Sequence, residues 1–157
     1  VSNPSNATDA VIGVFSPTLT EPLAHSMKAM GVKRGMIVCG CDGMDEITLT
    51  GTTHISEIKD DNVTSYDINP ADYGLKITDA EQLKGGNGEE NAETTKAILA
   101  GKETGAKRDI VLLNAGAAIY CAGIADTLAE GIEKAKESID SGKALEVLNK
   151  LVEFTNR

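Results

Sequence analysis

Tryptophan is absent from this 157-residue chain, and aromatic residues are scarce, with two Phe and three Tyr. Single-stranded nucleic acid is held largely by stacking bases on aromatic rings, so the chain lacks the usual platform for it. Positive charge is also short: 15 Lys and Arg face 24 Asp and Glu, for a net charge of -9. A protein that grips a phosphate backbone needs a basic footprint, so no nucleic-acid partner is expected. Cysteine is sparse and odd in number. Cys39, Cys41 and Cys121 form no CxxC pair, and the one-residue gap between the first two matches neither zinc-knuckle nor thioredoxin spacing. They read as reduced, mostly buried thiols of a cytoplasmic protein, with the CxC serving core packing. No apolar run approaches the roughly eighteen residues of a membrane span, so no membrane partner is expected. Val1-Ser2-Asn3-Pro4-Ser5-Asn6 has neither a basic nor an apolar region and does not read as a signal peptide. Neither a P-loop nor GxGxxG occurs; Gly101-Lys102-Glu103-Thr104-Gly105 carries the elements of the first in the wrong order.

What is present describes a globular chain, 41% hydrophobic and 25% charged, with room for one well-packed domain or one and part of another. Asn3-Pro4 is a turn signal. Val11–Phe15 is short, apolar and β-branched, and Gly35–Gly40 is similar, so both read as buried strands. Between them Thr20–Met30 reads as a helix, with Thr20 as N-cap, Glu21 in the first turn and Gly31 past the end. The unit is a right-handed strand–helix–strand crossover with a parallel pair. Residues 47–50, 53–58 and 63–68 alternate with period two and predict an antiparallel meander with one wet face. Asn69-Pro70 opens a short helical turn stopped by Gly74, and Thr78-Asp79-Ala80-Glu81 has the form of a capping box. Helices follow over 89–100, 126–140 and 143–154. Thr104 to Asp109 reads as a loop, and 110–122 as a buried small-residue helix with room for a brief strand at 110–113.

Chemistry concentrates in Gly40-Cys41-Asp42-Gly43-Met44-Asp45-Glu46, where three carboxylates and two glycines share seven residues after an apolar strand. Parallel-sheet proteins place their sites at such strand ends. Two readings stay open on spacing. Most acidic clusters are solvated turns; alternatively, the mutual repulsion of the carboxylates is relieved by a hard cation such as Mg²⁺, which takes oxygen ligands. Elsewhere, Gly85-Gly86-Asn87-Gly88 precedes a helix and offers either backbone N–H groups to an anion or a mobile connector. His25 and His54 have no sequence neighbours that suggest a catalytic triad and read as surface or boundary residues. Asn114, inside an apolar run, needs hydrogen-bond partners and is expected to tie its helix to a neighbouring loop.

The motifs taken together resemble the C-terminal part of anthranilate phosphoribosyltransferase. The residues that carry the likeness run in order along essentially the whole chain: Asn3-Pro4, Val11-Ile12-Gly13-Val14, Met30-Gly31, Gly40-x-Asp42-Gly43-Met44-Asp45-Glu46-Ile47 and Asn69-Pro70-x-Asp72-Tyr73-Gly74-Leu75. Gly85-Gly86, Glu90-Asn91-Ala92, Leu99-Ala100-Gly101, Leu113-Asn114-Ala115-x-Ala117-x-x-Tyr120, Ala129-x-Gly131 and Ser141-Gly142-Lys143-Ala144 continue it. Cys39 departs from the pattern, in which His is common before the Gly.

The resemblance implies an α/β fold of the phosphoribosyltransferase and nucleoside phosphorylase type, a central mixed sheet flanked by helices. Residues 1–157 would be the C-terminal part of that domain, without the N-terminal helical domain through which the family forms homodimers. The implied reaction is a Mg²⁺-dependent transfer of the phosphoribosyl group from phosphoribosyl pyrophosphate (PRPP) to anthranilate, in tryptophan biosynthesis in the cytoplasm. It assigns Asp45 and Glu46 to the Mg²⁺ and no catalytic residue to this chain. The family's Gly-Thr-Gly-Gly-Asp loop and its other main substrate segments have no counterpart here, so the chain alone is expected to be inactive. The alternatives are a non-catalytic relative that binds nucleic acid or a protein partner on the same fold, and a pyrimidine nucleoside phosphorylase-like enzyme.

Overall fold

A computed structural model describes residues 7–156; the Asn3-Pro4 turn signal lies outside them. Four strands form one mixed sheet in the order β1 (Asp9–Gly13), β2 (Arg34–Gly40), β3 (Thr53–Lys59), β4 (Asn62–Ile68). β1 and β2 are parallel, with Val11 opposite Met36 and Gly13 opposite Val38, and α1 (Thr20–Ala29) makes the crossover between them. The other two pairings are antiparallel. Helices α2 (Gly88–Leu99), α3 (Ala106–Cys121), α4 (Leu128–Asp140) and α5 (Lys143–Thr155) follow.

Strand alternation builds two cores. Ile37 and Cys39 of β2 face Ala24 and Met27 of α1, whereas Met36 and Val38 face Leu112, Leu113 and Ala117 of α3. With helices on both faces, β2 is buried along almost its whole length, which is why it reads as a continuous apolar run. Backbones of α3 and α4 approach closely where Gly116 meets Gly131: a Cβ on Gly131 would lie 2.3 Å from the Gly116 carbonyl oxygen. A polar network also ties α3 to the sheet. Buried Glu57 accepts hydrogen bonds from Tyr66 (2.8 Å) and Tyr120 (2.6 Å), and Lys59 donates to the Tyr120 hydroxyl at 2.9 Å.

Several local expectations are corrected. The first strand ends at Gly13 rather than Phe15, and Phe15 is exposed. Thr20 is not the cap of α1: a 3-10 turn at Pro17–Leu19 leads in, Thr20 is already helical and buried, and its hydroxyl donates to the Pro17 carbonyl. Residues 47–50 are not a strand although Ile47, Thr48 and Leu49 are fully buried. Their backbone groups pair mostly with side chains, Ile47 with Asn114 and the Thr48 N–H with the Thr53 hydroxyl, while the Leu49 carbonyl accepts from the Thr78 N–H. Period two thus marked burial on both sides of an irregular segment. Thr78 makes no capping box, and Asp79 precedes only the 3-10 turn Ala80–Gln82. The capping box lies at Asn87, which accepts from the Glu89 and Glu90 amides while Glu90 accepts from the Asn87 amide. No strand precedes α3, whose first residue, Ala106, falls inside the expected loop. The turn at Pro70–Tyr73, capped by Asn69 and ended by left-handed Gly74, is as expected.

Candidate functional site

Both parallel strands deliver their carboxyl ends to one place. β2 ends at Gly40, and the chain turns at once through the acidic stretch: the Gly43 N–H donates to the Gly40 carbonyl at 2.9 Å, and the Gly40 N–H to the Met44 carbonyl at 2.9 Å. Gly43 has φ +83°, a left-handed conformation that costs other residues about 1–2 kcal/mol and glycine almost nothing. The turn then passes over the end of β1. A Cβ built on Gly13 would lie 1.4 Å from the Asp45 carbonyl oxygen, so the backbones of Gly13 and Asp45 are in direct contact.

The three carboxylates have different surroundings. Asp42 is occupied within the turn, with Oδ1 accepting from the Met44 N–H at 3.1 Å and Oδ2 from the hydroxyls of Thr48 (2.8 Å) and Thr50 (2.7 Å). Burial acts to raise its pKa, but the hydrogen bonds from Thr50, Met44 and Thr48 outweigh it and hold the group below the usual carboxylate range. Asp42 therefore serves the turn itself. Asp45 is exposed and Glu46 half-buried, and neither carboxylate has a hydrogen-bond donor among the described residues. Burial, followed by the negative charges of Asp45 and Asp42, pushes the Glu46 pKa up. The next residue is held firmly: the Ile47 N–H donates to Asn114 Oδ1 at 2.9 Å, and Asn114 Nδ2 donates to the Ile47 carbonyl at 2.8 Å. The expected tie from α3 to a loop is thus present, and its loop is the acidic one.

Beside the turn is an open cleft of about 460 Å³ whose walls include Phe15, Pro17, Cys41, Gly43, His54 and Asp67. His54 is half-exposed and pairs with Asp67 at 2.6 Å; His25 is exposed near Glu21. Cys39 and Cys121 are buried as expected, but Cys41 is exposed, because the chain leaves the strand at Gly40. In the Gly85-Gly86-Asn87-Gly88 loop and the first turn of α2, the amides of Gly86, Asn87, Glu89 and Glu90 are already occupied by side chains of the same segment. Asn91 accepts from the Gly86 N–H and donates to the Gly86 carbonyl, and the capping box uses the amides of Asn87, Glu89 and Glu90. Those bonds give the loop a defined conformation at the start of α2.

A model of the glycosyl transferase family, a/b domain, matches residues 1–145. The chain belongs to that family. Among its relatives it is 48% identical to the anthranilate phosphoribosyltransferase of Acetivibrio thermocellus over 156 residues, which cover 99% of this chain and 45% of the relative. It is 46% identical to that of Alkaliphilus metalliredigens, again over 99% of this chain and 45% of the relative. Its fold is similar to the crystal structure of the Thermus thermophilus enzyme, with TM-score 0.84 at 38% identity, over 92% of this chain and 42% of that one. The Saccharomyces cerevisiae enzyme in complex with PRPP and Mg superposes with TM-score 0.81 at 27% identity, over 90% of this chain and 41% of that one. The chain thus spans less than half the length of these relatives. The mixed sheet flanked by helices agrees with the fold expected of this family.

The Gly13 contact was missed from sequence, although a glycine isolated in a strand is a recognised sign of close backbone approach. The Thr48 and Thr50 clamp on Asp42 had no such sign.

Proposed function

We propose that this chain is the C-terminal portion of an anthranilate phosphoribosyltransferase and forms the carboxylate wall of its PRPP site, with Asp45 and Glu46 holding Mg²⁺. The observation that carries the reading is the contrast within one turn: Asp42 is saturated by donors, while Asp45 and Glu46 accept no hydrogen bond from the described residues. Two adjacent carboxylates of this kind fit a hard cation. Among the described residues no three His, Cys, Asp or Glu side chains form a metal-holding group. The pair would therefore share the ion with water and substrate oxygens, which is the habit of Mg²⁺. When bound, the ion would neutralise negative charge that grows on a departing pyrophosphate.

This chain's own residues do the positioning. Gly43 turns the backbone out of β2, Asp42 and the two threonines fix the near side of the turn, and the half-buried Glu46 offers a carboxylate whose charge is relieved by a cation. Anthranilate and PRPP as substrates, pairing of the complete protein through a helical domain outside this chain, and a cytoplasmic biosynthetic role go with the same reading. The names of the relatives support it over a nucleoside phosphorylase, and the net charge of -9 speaks against a nucleic-acid binder.

The test is calorimetric titration of Mg²⁺ into the chain with PRPP omitted, since its pyrophosphate would chelate the ion in free solution. Binding is expected, with a loss of about tenfold or more in affinity for Asp45→Asn with Glu46→Gln. Unchanged binding in the double variant overturns the metal assignment. The chain alone is expected not to consume anthranilate and PRPP, followed by anthranilate fluorescence; turnover would show that the site is complete without further walls.

A further inference from the structure

An exposed turn carrying two mutually repelling carboxylates has no reason of its own to keep them side by side. Successive residues of an extended chain point to opposite sides, so a shared ligand requires the backbone at 45–47 to be fixed out of extended geometry. The chain bends at Asp45 and Glu46, and two features from distant parts of the chain fix the backbone around that bend. The Asn114 side chain bonds both the N–H and the carbonyl of Ile47, as a neighbouring strand would, at 2.9 and 2.8 Å, and its Nδ2 also donates to the Ile110 carbonyl of its own helix at 3.1 Å. The Ile47 N–H belongs to the peptide unit of Glu46, so the bond fixes the plane that follows the Glu46 side chain. On the opposite side, Gly13 lets the Asp45 carbonyl rest on the end of β1; any side chain there would push the turn away. Resting on the reading above, we infer that Asn114 and Gly13 are positioning residues that hold Asp45 and Glu46 in register for one divalent cation.

The probe is Mn²⁺ alone, which prefers the same octahedral oxygen environment as Mg²⁺, added to the ¹⁵N-labelled 157-residue chain. Paramagnetic broadening is expected first at the amides of 42–47, and Asp45→Asn with Glu46→Gln should remove it. Asn114→Ala should weaken that broadening by about 10–100-fold in Mn²⁺ concentration, the usual effect of losing an outer-shell partner. It should also speed hydrogen exchange at the Ile47 amide by about tenfold, leaving the remaining spectrum folded. Gly13→Ala should weaken the broadening while Ile47 stays bonded to Asn114. Broadening as strong in Asn114→Ala and Gly13→Ala as in the parent chain overturns the positioning role and leaves the metal reading standing. No broadening at 42–47 in the parent chain overturns both. Should the variants not fold, the parent chain still decides. Saturating Mg²⁺ is expected to slow Ile47 exchange severalfold, because an ion that needs the clamp must stabilise it in return. Exchange at Ile47 indifferent to bound Mg²⁺ overturns the inference.

Discussion

At the scale of single residues, the chemistry of this chain is decided by who has partners. Three carboxylates within five positions read alike on paper, yet Asp42 is consumed by a backbone amide and two hydroxyls, whereas Asp45 and Glu46 accept no hydrogen bond among the described residues. The cysteines divide in the same way. Burial raises the pKa of Cys39, with the Asp42 charge and Cys41 adding to it, and burial pushes Cys121 up to about 12, so neither supplies thiolate near neutral pH. Cys41 is exposed one residue beyond the strand. A disulfide reagent at about pH 8 should therefore label one thiol quickly in the native chain and three after denaturation, the fast label mapping to Cys41 by mass spectrometry. Rapid labelling of Cys39 would show that the end of β2 opens.

At the scale of elements, glycine changes are expected to have opposite signs according to what a Cβ would meet. In α4, Gly131 faces the Gly116 carbonyl oxygen at 2.3 Å from a built Cβ, and backbone cannot yield as a flexible side chain does. Gly131→Ala gains about 1 kcal/mol of helix propensity but forces α3 and α4 apart, at about 1–3 kcal/mol or more. The contact wins, and Tm should fall by about 2–8 °C. Gly88, first in α2, faces open space. Gly88→Ala should hold Tm or raise it slightly, since it removes freedom mainly from the unfolded chain. Thermal denaturation of the two variants side by side checks the argument; equal shifts would mean that the close helix contact relaxes freely.

At the scale of the molecule, two surfaces are left apolar. α5 buries none of its residues fully, and Val147, Leu151, Val152 and Phe154 are all more than half exposed. β1 pairs only with β2 among the described residues, so its outer edge carries unpaired backbone groups along an apolar strand. Such edges and patches favour association. Light scattering on the isolated chain should show a mass that rises with concentration, and Leu151→Asp with Phe154→Asp should reduce the rise. A constant monomer mass in the parent chain would overturn the expectation.

Much of the architecture was legible in the sequence because local signals and burial agreed there. Strands β2, β3 and β4, the helix before β2, the turn at Asn69-Pro70 and the position of the acidic stretch beyond a buried strand all follow from apolar period, capping residues and glycine. The failures share a cause. Residues 47–50 alternate like a strand but take their hydrogen bonds from Asn114 and Thr53, residues that the pattern of the segment itself does not name. Asp42, Asp45 and Glu46 could be located from sequence, and their family likeness marked the pair, but their division of labour could not be seen. It depends on Thr48 and Thr50 folding back onto Asp42, on Gly13 arriving from 32 positions upstream to meet Asp45, and on Asn114 reaching back across 67 positions to Ile47. Composition and period determine which segments are buried and where charge gathers. Which carboxylate is taken by hydroxyls folding back within the turn, and how residues distant in sequence hold the turn's backbone, only the tertiary structure decides.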